Sequence, residues 1–124
     1  ETPGLQDFGE FLLRTPDVTG YVRVDWFTPD GLPTWGDGRL TILGTEGYIE
    51  LRKYVDIAGR PGKDHLFLVD GKGVQHIDCT DVELPYGPAL VQDVLNRTET
   101  AMGQAHCFKA MELALTAQAM AERS

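Results

Sequence analysis

The stretch RLTILGTEGYIELRKYVD, Arg39–Asp56, decides how the rest of the chain is read. Apolar and polar residues alternate on both sides of a Gly-Thr-Glu-Gly turn, the period-two pattern of a hairpin with one buried face. Arg39–Thr45 and Tyr48–Asp56 are predicted strands separated by a tight Glu-Gly turn. In the second, Ile49, Leu51 and Val55 share one side. Tyr48, Glu50, Arg52, Tyr54 and Asp56 share the other.

Working outward toward the N-terminus, Asp7–Thr15 and Thr19–Phe27 flank a Pro-Asp-Val connection and predict another hairpin. Tyr21, Arg23, Asp25 and Phe27 alternate there with Val22, Val24 and Trp26. Toward the C-terminus a Gly/Pro-rich excursion, DIAGRPGKD, precedes two short strands, HLFLVD and VQHID, bracketing Gly-Lys-Gly. The period then changes. Gly87-Pro88 opens a helix with proline near its start, and Asn96 is its expected stop. A second helix is expected from about Ala101 to Arg123, rich in Ala, Leu, Met and Glu. Six strands in meander order followed by helices predict one α+β domain over residues 1–124: an open, mostly antiparallel sheet with C-terminal helices on one face.

Composition excludes several classes of function. The net charge of −8 disfavours nucleic acid and anionic membranes, both of which require a positive surface. No apolar run approaches the roughly 20 residues a membrane-spanning helix needs. The N-terminal residues lack the basic and apolar regions of a signal peptide, so a cytoplasmic protein is expected. Cys79 and Cys107 are read as reduced thiols. Ser124 is the single serine, and neither a phosphate-binding loop nor a dinucleotide fingerprint is present. His65 and His76 can face each other across the Gly-Lys-Gly turn but are read as surface residues. His106 and Cys107 point in different directions on a helix, so no metal site is expected.

Candidate functional residues fall into two groups. The connection WFTPDGLPTWGDGR, Trp26–Arg39, combines turn residues with exposed-type aromatics. Trp35 can stack on a ring-shaped ligand, while Asp37 and Arg39 can hydrogen-bond hydroxyls or a carboxylate. The alternative is that Trp26 and Trp35 pack back on the sheet edge and Arg39 pairs with Asp37. The second group is the mixed aromatic and charged face: Tyr21, Arg23, Tyr48, Glu50, Arg52 and Tyr54. It is either a solvated face or a subunit contact, where Tyr and Arg are enriched. His106, near the start of the last helix, is a further candidate for a ligand or partner contact.

The segments ILGTEGYIEL (Ile42–Leu51) and QAHCFKAMELAL (Gln104–Leu115), in this order and spacing, resemble the C-terminal domain of the glucose-fructose oxidoreductase/inositol dehydrogenase/MocA family. The resemblance runs from the Asp7 strand to the end of the chain. It implies a two-domain enzyme in which a separate Rossmann domain binds NAD or NADP. The domain seen here would shape the site for a sugar, cyclitol or related substrate and build a homo-oligomer through its sheet. The family's E-K-P and D-x-x-x-H catalytic motifs match no position here, so no catalytic residue carries over. The chain is therefore expected to be a fragment, inactive alone and binding no cofactor itself. The alternative is a stand-alone, non-enzymatic binding or assembly domain that uses the open sheet face.

Overall fold

The computed structural model describes residues 4–123. The strands are β1 (Phe8–Arg14), β2 (Thr19–Asp25), β3 (Arg39–Leu43), β4 (Gly47–Arg52), β5 (His65–Asp70) and β6 (Gly73–Asp78). They are followed by the helices α1 (Tyr86–Asn96) and α2 (Gln104–Ala121). All strand pairings are antiparallel and join sequence neighbours, so the fold is α+β with strands in meander order. The chain divides into two compact units, Glu1–Val82 and Glu83–Ser124.

Within the first unit the six strands form two sheets, a β1–β2 hairpin and a four-stranded sheet β3-β4-β5-β6. The division falls at the Trp26–Gly38 connection, because β2 ends at Asp25. There the Asp25 carboxylate turns back to accept the amide of Phe27 at 3.0 Å, a side-chain turn that competes with ladder pairing. Trp26 still donates its amide to the Asp7 carbonyl at 3.0 Å, whereas Phe27 stacks on Phe8 with centroids 6.2 Å apart.

Strand β4 is shorter than its alternation suggests. It ends at Arg52, and Tyr54 takes a left-handed φ of 75°. Tyr54 and Asp56 therefore leave the strand face on which the sequence pattern sets them. The turn between β3 and β4 spans Gly44–Glu46 and closes through the Gly44 amide on the Gly47 carbonyl at 2.8 Å. Gly47 is required there: a Cβ would lie 2.1 Å from the Val69 carbonyl oxygen of β5. The β5–β6 turn is held by the Asp70 carboxylate accepting the Lys72 amide at 2.8 Å.

The second unit is two helices joined by one carboxylate. Helix α1 begins one residue before Gly87-Pro88, with Pro85 as its N-cap, and ends on Arg97 in the left-handed conformation. Asp93 is 7% exposed. It accepts the Thr98 hydroxyl at 2.6 Å, the Thr100 amide and hydroxyl at 2.8 Å each, and the Ala101 amide at 2.7 Å. These donors are the otherwise unpaired groups of the α1–α2 link, so a single side chain shapes that turn.

Among the described residues no apolar side chain is fully buried; the buried ones are Arg52, Asp56, His65 and Asp93. In the four-stranded sheet the register sets Leu40, Ile42, Ile49, Leu51, Leu66, Leu68 and Ile77 on one face. Leu40, Ile42 and Ile77 are exposed there. An apolar sheet face of this extent is the kind that other surfaces cover.

Candidate functional site

The opposite face of the four-stranded sheet is mixed: two rows carry its charged and polar residues, and a third is Leu43, Tyr48, Val69 and Val74. Register pairs Arg39 with Arg52, Arg52 with His65, and His65 with Asp78, giving one charged row across all four strands. The next row is Thr41, Glu50, Phe67 and His76. Alternation of side chains along each strand sets both rows on the same face.

Asp37, just before β3, ties the row together. Its Oδ2 accepts Arg39 through Nε at 2.9 Å and through a shorter contact with Nη2. Its Oδ1 accepts Arg52 Nη2 at 3.5 Å. The Arg39 hydrogen bond holds the Asp37 carboxyl below its ordinary range against an opposing effect of burial, and Arg52 adds to the lowering. The same bond raises Arg39. Arg39 is the closer partner but is exposed, whereas Arg52 is only 7% exposed. Charge pairs near water contribute little, while a buried charge that loses its partner is costly. The Arg52 contact therefore matters more to the fold despite its length. The amide of Lys53 donates to the Gly38 carbonyl at 2.9 Å and anchors the same corner.

His65 is completely buried, and its Nδ1 lies 2.9 Å from His76 Nε2. The two rings stack at 5.2 Å, with Phe67 beside them at 5.0 Å from His76 and 6.4 Å from His65. His65 Nε2 and Arg52 Nε are buried without a hydrogen-bond partner. The segment 53–64 crosses this region. Arg60 lies 5.4 Å over the Phe67 ring, held by the Asp56 carboxylate at 2.9 Å. The Lys63 amide and carbonyl both bond the Thr80 hydroxyl, at 3.1 and 2.9 Å. Asp78 accepts the Thr80 amide at 2.9 Å and its hydroxyl at 2.6 Å, which holds the Asp78 carboxyl low.

The residues singled out from the sequence are thus distributed over several places. Asp37, Arg39 and Arg52, drawn from the two different groups, come together at one corner, with Glu50 and Tyr48 farther along β4 on the same face. The Asp37–Arg39 pairing is the structural alternative foreseen for those residues. Trp35 is 83% exposed and meets Trp26 edge to face at 5.5 Å, so the two tryptophans pack on each other. Tyr21 and Arg23 lie on the separate hairpin, where Tyr21 donates to Glu10 and Arg23 pairs with Asp25 at 2.8 Å. Arg23 also lies 5.1 Å over the Phe8 ring. His106 is exposed in the first turn of α2, in the other unit.

His65 is a correction: it is read from the sequence as a surface residue, and it is the most deeply buried side chain among those described. The excursion 53–64, which a strand pattern does not register, brings Arg60 over the neighbouring Phe67 ring. The separation of the two histidines around a Gly-Lys-Gly turn was the available signal. Cys79 and Cys107 are free thiols. Among the described residues no three His, Cys, Asp or Glu side chains converge as a metal site, and no helix is long and apolar enough to cross a membrane. Every strand is antiparallel, and neither helix is entered from a parallel strand through a glycine-rich phosphate turn.

No family model matches the chain. No curated protein matches it. Among solved structures it is similar to the 1.25 Å crystal structure of a "putative oxidoreductase" from Erwinia carotovora atroseptica SCRI1043. The identity is 52% and the TM-score 0.85, over 94% of this chain. The chain spans only 35% of the length of that structure. A sequence likeness of this degree over nearly all its residues supports the α+β fold as an oxidoreductase-related one.

Proposed function

We propose that this chain is the substrate-binding and oligomerisation part of an NAD(P)-dependent oxidoreductase that acts on a sugar, cyclitol or related hydroxyl or carbonyl compound. The observation that carries the reading is the 52% identity, across 94% of this chain, to about a third of a protein described as an oxidoreductase. The exposed apolar face of the four-stranded sheet supports it, because that face calls for a covering surface. The antiparallel topology supports assigning NAD or NADP to another domain. The chain by itself then transfers no hydride, and it works in the cytoplasm as part of a homo-oligomer.

In this reading the corner formed by Asp37, Arg39 and Arg52 contributes polar contacts to the substrate or to a neighbouring subunit, and Trp35 supplies an apolar plate beside it. The test is an assay of the native polypeptide that contains this sequence. It is incubated with NAD or NADP and a panel of sugars and cyclitols, and reduced nicotinamide is followed by its absorbance. Turnover that falls at least tenfold in the Arg39→Ala/Trp35→Ala double variant supports the reading. No turnover with either cofactor, in either direction, across the panel overturns it.

A further inference from the structure

We propose that the free edge of β1 pairs with the same edge of a second copy of this chain, joining two β1–β2 hairpins into one continuous antiparallel sheet across a two-fold axis. The inference does not depend on the enzymatic reading, and this edge is distinct from both faces of the sheet β3-β4-β5-β6.

A two-stranded hairpin by itself is marginal in water. Among the described residues β1 pairs with β2 and with no other strand, in an unbroken register from Phe8 to Arg14. At one end the Trp26 amide donates to the Asp7 carbonyl at 3.0 Å, and at the other the Thr15 amide donates to the Val18 carbonyl at 2.8 Å. Hydrogen-bonded pairs alternate along an antiparallel ladder, so between these ends it is Gly9, Phe11 and Leu13 that bond β2. Phe8, Glu10, Leu12 and Arg14 therefore turn their amides and carbonyls outward. Neither a proline nor a bulge blunts that edge, and its two charged residues are of opposite sign.

Only these outward residues can bond across the edge, which limits the registers open to a two-fold pair. With Leu12 opposite the partner's Leu12, Glu10 meets the partner's Arg14 on both sides of the axis. Each facing pair then exchanges its two backbone hydrogen bonds. Opposite charges facing each other across strands are favourable and like charges are not. Sliding one outward residue either way sets Glu10 or Arg14 opposite the partner's Leu12 and separates the charges. Sliding further brings Glu10 against the partner's Glu10, or Arg14 against the partner's Arg14. On the other face the favoured register lays Phe11 beside the partner's Leu13, in the more closely spaced kind of pair.

The charges on β1 are available for this. Arg14 is exposed and takes part in no ion pair among the described residues. Glu10 accepts the Tyr21 hydroxyl on Oε2, which leaves Oε1 for an arginine. Leu12, at the axis, is exposed in the single chain. The other strand edges lack this self-complementarity. On β2 the outward charges, Arg23 and Asp25, already pair with each other at 2.8 Å. The outward residues of β3 are Arg39, held by Asp37, with Thr41 and Leu43, and no acid stands among them. Those of β6 are Val74, His76 and Asp78, and Asp78 is bound to Thr80.

The test is sedimentation, with amide hydrogen exchange by NMR, on the whole chain from micromolar to millimolar concentration. A monomer–dimer transition is expected, and protection of the Glu10, Leu12 and Arg14 amides rises with the dimer. The Gly9, Phe11 and Leu13 amides stay protected throughout and report that the hairpin persists. Arg14→Glu sets acids opposite each other, Glu10→Arg sets bases opposite each other, and each is expected to weaken the dimer about tenfold or more. The double variant Glu10→Arg/Arg14→Glu restores opposite charges and with them the dimer, which a folding defect would not do. A chain that stays monomeric at millimolar concentration overturns the proposal, as does a dimer whose Glu10, Leu12 and Arg14 amides stay unprotected. A double variant no more dimeric than the single ones overturns it as well. So does protection of those three amides at every concentration in the native polypeptide that contains this sequence, because a strand of the same polypeptide then holds the edge.

Discussion

Asp37 holds two arginines, and losing the exposed one should have a smaller consequence than losing the carboxylate they share. Arg39→Ala, at an exposed pair, is expected to cost less than about 1 kcal/mol in chemical denaturation. Asp37→Ala strands the buried Arg52 and is expected to cost about 1–3 kcal/mol. If the two variants are equally stable, the closer contact is the one that matters and the ranking by burial is wrong. Gly47 is the sharpest steric test. Gly47→Ala drives a methyl into the Val69 carbonyl and should lower stability by about 2–3 kcal/mol, with the loss appearing in the β4–β5 amides first. Asp93 offers a titration. The Thr98 hydroxyl, aided by the Ala101 and Thr100 amides, holds its carboxyl well below the ordinary carboxylate range although burial opposes this. The stability it gives the helical unit is complete above an ordinary aspartate value of about 4 and is lost as pH falls below that. Helical circular dichroism should therefore decline in acid. Asp93→Asn should weaken the junction at neutral pH and flatten the acid response, because its amide group meets one of the donors now bound.

At the scale of elements, the alternation in Arg39–Leu51 was enough to find β3, β4 and their facing, since period-two patterning and pairing register are the same fact seen twice. The helices were equally legible, α1 from Gly87-Pro88 and its stop at Asn96 and α2 from its Ala, Leu and Met content, with α1 starting one residue earlier and α2 shorter at both ends than expected. Alternation failed where side chains bonded the backbone. Asp25 ended β2 before Trp26 and Phe27, and Tyr54 left β4 through a left-handed residue. That is why Tyr54 does not stand beside Tyr48, Glu50 and Arg52, and why Tyr21 and Arg23 lie on a different sheet from them. The same limitation concealed His65. A Gly/Pro-rich excursion reads as an exposed connection, yet here it carries Arg60 onto Phe67 and closes over a sheet face. The Asp37–Arg39–Arg52 corner was half legible: two of its members were neighbours in sequence, and the third was joined by strand pairing.

Among the described residues the fully buried side chains are polar, while Leu40, Ile42 and Ile77 on the apolar sheet face are exposed. If the proposed homo-oligomer forms through that apolar face, a charge set into it, Ile42→Glu, should reduce association in sedimentation while leaving the His65–His76 ring contact intact, as judged from histidine NMR resonances. The burial pattern also bears on calorimetry. Unfolding normally raises heat capacity by about 12–15 cal/mol/K per residue, because apolar groups enter water, and exposing polar groups works the other way. A chain whose fully buried side chains among those described are Arg52, Asp56, His65 and Asp93, with apolar ones at most half-buried, should show a smaller increment than its length implies, and so a flatter stability curve against temperature. If a partner surface covers the sheet as proposed, the missing heat capacity should reappear as a large negative change on assembly, making that step rather than folding the strongly temperature-dependent one.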